Sequence, residues 1–428
     1  MLYTPHLLFG KVSAGYTLFV KRFLELLTFS LCGSAVVVAL FVARSPALSF
    51  GDVERLFAGF FFTESSTPEA LQAKYSRAHY GGDKLRVLIV PGHDDDAWGT
   101  EFNGIREADM TVALGEELTK LLSADPAFEP LLLRSRAGYA SGFLEYVGRE
   151  EGAIQAFIQS NKQTMRELIR AGSVHLTTGV IHNTAPSAVA LKLYAANRFA
   201  NEHGVDIVLH IHFNDYPGRS HTRAGRYNGF SIYIPDSQFS NARASRSVAE
   251  ALFAQFSKFY AESNLPIEDS GIVPDQELIA TGAYNTLDPA GVLIEYGYIY
   301  EQRFLNEAVR AAMLRELAFQ TYQGLNRFFG KYGELFQKYP TTLLPHEWNR
   351  ALSAGSGSHP SILSLQAALL FEELYPPAGE NKRGCPLSGS FGPCTALAVK
   401  GFQQKYGLPP TGAVGPQTME KLNEKYGR

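Results

Sequence analysis

The sequence predicts an α/β protein with an open mixed or parallel sheet flanked by helices, a small all-α module of three helices after it, and one membrane helix before it. Three observations predict this. Apolar runs of strand character at 86–90, 205–212 and 291–294 alternate with stretches of helical spacing such as 107–118. A helix-opening turn occurs twice near the C-terminus. Residues 26–43 carry no charge and approach the ~20 residues a spanning helix needs.

At the N-terminus, Lys11, Lys21 and Arg22 precede the apolar stretch, so the positive-inside rule places residues 1–25 in the cytoplasm and everything after Arg44 outside. The long leading region and lack of an Ala-x-Ala site favour an uncleaved anchor over a secretory signal, with secretion to the periplasm or wall as the alternative.

Arg86-Val87-Leu88-Ile89-Val90 reads as a buried strand that Pro91-Gly92 turns, leaving His93 at its carboxyl end, where open α/β sheets bind ligands. Glu107 opens a helix whose Met110, Ala113, Leu114 and Leu118 recur with helical spacing. A carboxylate there also suits the helix dipole. Val205 to His212 forms the next strand; side chains alternate, so His210 and His212 share a face and either could be a ligand. Glu295 ends Gly291-Val292-Leu293-Ile294, and a carboxylate at such a site needs a metal, a donor or a shifted pKa. Two imidazoles and a carboxylate suit zinc with one coordination position open, and a further glutamate beside it suits proton transfer.

Val-Pro-Gly-His93-Asp-Asp, Gly-Ile-Arg-Glu107-Ala-Asp, Leu-His-Ile-His212-Phe-Asn and Ile-Glu295-Tyr-Gly-Tyr together resemble, in order and approximate separation, the zinc-dependent N-acetylmuramoyl-L-alanine amidases that cut peptidoglycan. The resemblance spans roughly 84–330. It implies zinc held by His93, Glu107 and His212, with Glu295 as the catalytic acid–base. It selects His212 over His210 because His212 precedes x-Asn; His210 and Asn214 are then candidates to support the ligands from behind. The implied reaction hydrolyses the amide joining the lactyl group of N-acetylmuramic acid to L-alanine. Glu295 takes a proton from water and returns one to the leaving amine, and no covalent intermediate forms. A carboxypeptidase acting on stem peptides and a non-catalytic activator on the same scaffold stay open.

The chain departs from the family in two places. Asp94-Asp95-Asp96 replaces the usual Gly-Gly, and reads as a charge filter, a second cation site or a solvated turn. An insertion at about 140–187 carries Ile154, Phe157, Ile158, Met165, Leu168 and Ile169 at helical spacing, for a lid over the cleft or a helix packed on the sheet. Its His175 and His182 read as surface or core residues.

From 359 to 428 the chain resembles the three-helix peptidoglycan-binding domain, through Gln366, Phe402-Gln403, Gly412 and Thr418. Gly-x-Phe-Gly-Pro-x-Thr at Gly389 repeats as Gly-x-Val-Gly-Pro-x-Thr at Gly412, each a turn feeding a helix with Pro in its first turn. Helices are expected around Leu365, Phe402 and Leu422, with their apolar residues as core. Residues 331–358 form the connection: Phe328 to Leu352 packs on the catalytic domain, and Ala354-Gly355-Ser356-Gly357-Ser358 has the composition of a flexible linker. Cys385 and Cys394 pair as a disulfide or remain free thiols.

Composition sets outer bounds. At 428 residues, with 45% apolar and 19% charged side chains, the chain has core enough for more than one domain. Its net charge of -3 excludes a strongly basic nucleic-acid binder. The expected partners are peptidoglycan, a membrane through the N-terminal helix, and a protein activator.

Overall fold

The computed structural model describes residues 65–177, 185–216, 218–331 and 339–427. The segments expected at 1–25 and 26–43, and His182, lie outside these residues. Among the described residues no helix is long and apolar enough to cross a membrane.

Helix α1 (Pro68–Ala78) starts at Thr67, whose hydroxyl accepts the Ala70 N–H, with Pro68 in its first turn. Strand β1 (Leu85–Pro91) follows, then the short β2 (Glu101–Phe102) and β3 (Ile105–Arg106), and helix α2 (Glu107–Ala124). Next come β4 (Phe128–Leu132), the hairpin β5 (Arg134–Ser135) and β6 (Gly138–Tyr139), α3 (Ser141–Arg170) and α4 (Ser187–Glu202). The catalytic half closes with β7 (Ile207–Asn214), β8 (Ser231–Pro235), α5 (Ala242–Phe256), β9 (Ile272–Asp275), β10 (Ala290–Tyr298), α6 (Gln302–Leu305) and α7 (Glu307–Phe328).

The central sheet has six strands in the order β4-β1-β7-β10-β8-β9. It is mixed. β4, β1, β7 and β10 run parallel, β8 runs antiparallel to β10, and β9 is parallel to β8. Alternation along β7 sorts the two faces. Ile207, Leu209, Ile211 and Phe213 join the core beneath α2, α5 and α7. Val208 packs with Leu88 and Val90 under α3 and α4, and His210 and His212 share that face.

The inserted helix α3 buries Phe143, Tyr146, Ile154, Ile158 and Met165, while Phe157, Leu168 and Ile169 are half-buried. Phe143, Tyr146, Ile154 and Ile158 share one apolar cluster with Tyr194 and Ala195 of α4 and with Leu88 and Val90 of the sheet. The first half of its apolar stripe is therefore packed on α4 and the sheet, and Met165, Leu168 and Ile169 pack with Val174 and Phe239.

The C-terminal module is three helices, α8 (Pro360–Phe371), α9 (Pro393–Lys405) and α10 (Pro416–Tyr426), around Leu365, Phe402 and Leu422. The repeated turn has a physical cause. Gln366 of α8 accepts the N–H groups of Ser388 and Gly389 and donates to the Ser390 carbonyl and Thr395 hydroxyl. Gln403 of α9 does the same one repeat later, accepting the Gly412 N–H and donating to the Ala413 carbonyl and Thr418 hydroxyl. Each buried glutamine pins the glycine turn that opens the next helix; Gly389 and Gly412 take φ of 69° and 75° there.

The described part of the connection, residues 339–358, is packed and bonded. Trp348 is buried and its indole N–H donates to the Ser361 carbonyl. Leu352 pairs with Val414 and Ser358 with Ser390 as isolated bridges on either side of the Gly/Ser turn. Leu343, Trp348 and Leu352 belong to the same apolar core as Val309 and Leu317 of α7 and Ile362 and Leu365 of α8. Gly/Ser composition measures chain freedom only where no partner backbone is present. Cys385 and Cys394 are bonded as a disulfide.

Candidate active site

Four side chains meet at the carboxyl end of the parallel strands. The β1 strand ends at Pro91, and Gly92 and His93 turn out of the sheet, with His93 in the left-handed region at φ 65°. A non-glycine residue held there costs on the order of 1–3 kcal/mol, so the surrounding structure must fix it. Arg134, buried, donates to the carbonyls of Gly92 and Ala108 at 3.1 and 3.0 Å, and the Thr111 hydroxyl donates to Gly92 at 2.8 Å. These bonds brace the His93 turn against the first turn of α2, where Glu107 sits.

Glu107 is the hub. Its Oε2 lies 3.2 Å from His93 Nε2 and its Oε1 3.0 Å from His212 Nδ1. The Thr100 and Phe213 N–H groups donate to the same two oxygens. Burial drives this carboxyl upward, but attraction to His93, hydrogen bonding from His212 and the remaining imidazole contacts outweigh it and hold Glu107 well below the usual range. Burial opposes protonation of both imidazoles: the Glu107 charge still raises His93, whereas His212 stays lowered.

The donor set fits a metal. One ligand atom from each of His93, Glu107 and His212 lies within 4.8 Å of the others, the one such group among the described residues. Bonds of ~2.0–2.1 Å in a tetrahedron place ligand atoms about 3.3 Å apart. The two Glu107–imidazole contacts, 3.2 and 3.0 Å, are close to that spacing, and the full set of three atoms lies within 4.8 Å. Glycines clear the space: a Cβ on Gly92 would come within 2.3 Å of the His212 ring, and one on Gly99 within 2.4 Å of Glu107 Oε2.

Glu295 is the register partner of His212 across β7 and β10, so the two side chains emerge together. Its Oε2 is buried without a hydrogen-bond partner. Burial first, then the charges of Glu107 and Glu268, push its pKa well above the usual carboxylate value.

Other expected residues fall around these. His210 is fully buried on the same face, its ring 6.4 Å from that of His212, and neither ring nitrogen has a hydrogen-bond partner. Burial, and then the charge of His212, lower its pKa to about 3, which favours the neutral imidazole. The Asn214 amide donates to both oxygens of Glu268 at 2.9 and 3.1 Å, and its carbonyl oxygen accepts the Asp215 N–H. Asp94 is buried rather than solvated: one oxygen accepts the N–H groups of Asp96 and Ala97, and the other pairs with Lys192 at 2.8 Å and accepts from Tyr139. Asp95 and Asp96 are exposed.

Glu268 and Arg134 are the residues that sequence reasoning missed. Glu268 is buried in a short 3-10 turn and accepts from Asn214, Tyr233 and Tyr298, which come from three different strands. Its only sequence signal is an acid after Pro266, which ordinary helix starts share. Arg134 had none beyond following an apolar run.

Residues 87–327, more than half of the chain, match the family model described as N-acetylmuramoyl-L-alanine amidase. Residues 358–422 match that of a peptidoglycan binding domain. Similar solved structures include an N-acetylmuramoyl-L-alanine amidase from Clostridium difficile 630 (17% identity, 59% of this chain and 100% of that chain, TM-score 0.37). The catalytic domain of CwlV from Bacillus (Paenibacillus) polymyxa var. colistinus is similar at 16% identity, over 57% of this chain and 98% of that chain, with TM-score 0.35. The CwlD amidase of Clostridioides difficile, in complex with the GerS lipoprotein, is similar at 12% identity, over 58% and 99%, with TM-score 0.36. No curated protein matches the chain. The chain belongs to the N-acetylmuramoyl-L-alanine amidase family, and it is an amide hydrolase of peptidoglycan with a peptidoglycan-binding module at its C-terminal end.

Proposed function

We propose that the amidase works with zinc held by His93, Glu107 and His212, and that Glu295 is its acid–base group. The observation that carries this reading is the convergence of the three ligand atoms within 4.8 Å, with Glu295 in register beside His212. Bound there, zinc supplies Lewis acidity toward the scissile carbonyl and toward a water molecule.

The chain's own residues supply the rest. Burial and two nearby carboxylates make Glu295 ready to hold a proton. That suits a group that accepts one from the attacking water and delivers it to the departing L-alanine amine. Glu268 and Asn214 keep the adjoining wall of the site in place: the Glu268 carboxylate, fixed by three donors, is one of the charges that raise Glu295. Arg134 and Thr111 hold the His93 turn, so the ligands are preorganised.

The compartment follows from the polymer: peptidoglycan lies outside the cytoplasm, and the Cys385–Cys394 disulfide suits an oxidising environment. An N-terminal anchor over 26–43 or a secreted form would both deliver the enzyme there. A protein activator is proposed with it, of the kind seen when CwlD binds the GerS lipoprotein.

The test is metal analysis together with turnover. Wild-type protein should hold about one zinc per chain, lose hydrolysis on chelation and regain it with zinc. Substoichiometric zinc with full activity would overturn the assignment.

A further inference from the structure

A cavity of about 240 Å³ lies where the disulfide loop of the C-terminal module meets the edge of the catalytic domain. Both modules line it. Arg226 and Arg303 come from the catalytic domain and Lys382 and Arg383 from the segment that leads into the disulfide loop, against a single carboxylate, Glu301. Such an excess of cations stands out in a chain whose net charge is -3.

The polar contacts leave that charge uncompensated. Arg226 donates to the Tyr227 hydroxyl, Arg383 to the Asn228 side chain, and Lys382 to the Ser257 carbonyl, all neutral acceptors. Glu301 is already committed to Arg303 and to the N–H groups of Gly229 and Tyr298. Tyr227, Tyr260 and Tyr300 supply aromatic wall between the cations.

The segment carrying the two cations is held at its end and from within. Lys382 and Arg383 lie just before Cys385, which the disulfide to Cys394 fixes, the Asn381 side chain accepts the N–H groups of Arg383 and Gly384, and the Tyr375 hydroxyl donates to the Pro386 carbonyl. Lys382 and Arg383 then reach across to the catalytic domain through the bonds above. The module is thus docked, and its loop completes a site neither part makes alone.

Position decides what the site would take. Tyr300 lies five residues beyond Glu295 in the same segment, so at most about 18 Å of chain separates them. An extended peptide of about five residues spans the same distance. The cavity therefore lies no farther from Glu295 than the length of one extended pentapeptide, and its cations match the charge of such a peptide's far carboxylate.

We propose that this intermodular cavity binds the carboxylate end of the extended stem peptide, so that the C-terminal module measures the substrate as well as holding the wall. The inference rests on the amidase reading above, because Glu295 marks where the peptide begins. Guanidinium groups favour it, since they pair with carboxylates in a bidentate fork.

The experiment uses the full chain carrying Glu295→Gln, so that bound peptide is not consumed. Calorimetric titrations compare a synthetic lactyl-L-alanyl pentapeptide as free acid with the same peptide as C-terminal amide. The free acid should bind at least about tenfold tighter, the order of one charge-assisted pair. Lys382→Ala/Arg383→Ala should erase that preference, and Arg383→Lys, which keeps the charge but loses the fork, should retain part of it, which separates lost charge from a disturbed segment. Equal affinities, a preference that survives the double substitution, no binding of either peptide, or occupation by peptide-free glycan would each overturn the proposal. The amidase reading is judged separately, by release of stem peptide from wall by the wild-type chain; its failure would not alter the binding result.

Discussion

His212 on β7 and Glu295 on β10 are register partners in adjacent parallel strands, so imidazole and carboxylate leave the same face of the sheet at the same height. The backbone ladder itself sets their separation. The metal ligand and the acid–base group of the proposed mechanism are thus placed by strand pairing rather than by loops, which is the more rigid way to hold a catalytic pair.

Glu295→Gln keeps the shape of the side chain and removes its proton chemistry. Hydrolysis should fall by about 10²–10⁴, the usual range for loss of a general base, while zinc content stays near wild type. Single-turnover kinetics with metal analysis on the same sample checks both.

The same substitution has a stability signature in metal-free protein. Glu295 has a raised folded pKa, so the folded state binds more protons than the unfolded state above the ordinary carboxylate value of 4.5. Stability from this group is therefore lost as pH rises from that value toward the folded pKa. Glu295→Gln removes the loss: its melting temperature should exceed that of wild type at neutral pH, and the two should converge below about pH 4. A constant difference at all pH values would count against the buried, proton-binding state.

Glu268→Gln keeps the side-chain size, exchanges one of its two accepting oxygens for a donating NH2 group, and deletes one of the two charges that raise Glu295. The acid limb of the kcat/KM profile should move to lower pH, with the zinc content unchanged. An unshifted limb would mean the two carboxylates do not communicate.

Gly92→Ala tests the cradle. Its Cβ would lie 2.3 Å from the His212 ring, so the imidazole must move. Zinc affinity should drop by about 10–100-fold, the range seen when groups supporting a ligand are changed. Competition with a coloured chelator reads it directly. His93→Ala and His212→Ala should weaken the metal further.

Much of this was legible in the sequence, because the residues concerned end strands or open helices. His93, Glu107, His212 and Glu295 each follow or begin an apolar run with a clear period, and β1, β7 and β10 bring those ends together. The repeat in the C-terminal module was visible as a pattern, whereas its cause, the paired roles of Gln366 and Gln403, needed the fold. Glu268 was hidden because its donors come from β7, β8 and β10, which no local spacing connects. The Gly/Ser stretch before Pro360 misled for a related reason: Val414 and Ser390, which pair with its flanks, lie far along the chain. The role of Asp94 stayed open between a charge filter, a cation site and a solvated turn because Lys192 and Tyr139, its partners, are distant in sequence.

The most direct test of the account is mass spectrometry of the fragments released from purified peptidoglycan, before chelation, after it, and after zinc is returned. The account predicts zinc-dependent release of whole stem peptides that begin with a free L-alanine amine. Release of terminal D-alanine alone, or release of stem peptides that persists without metal, would contradict it.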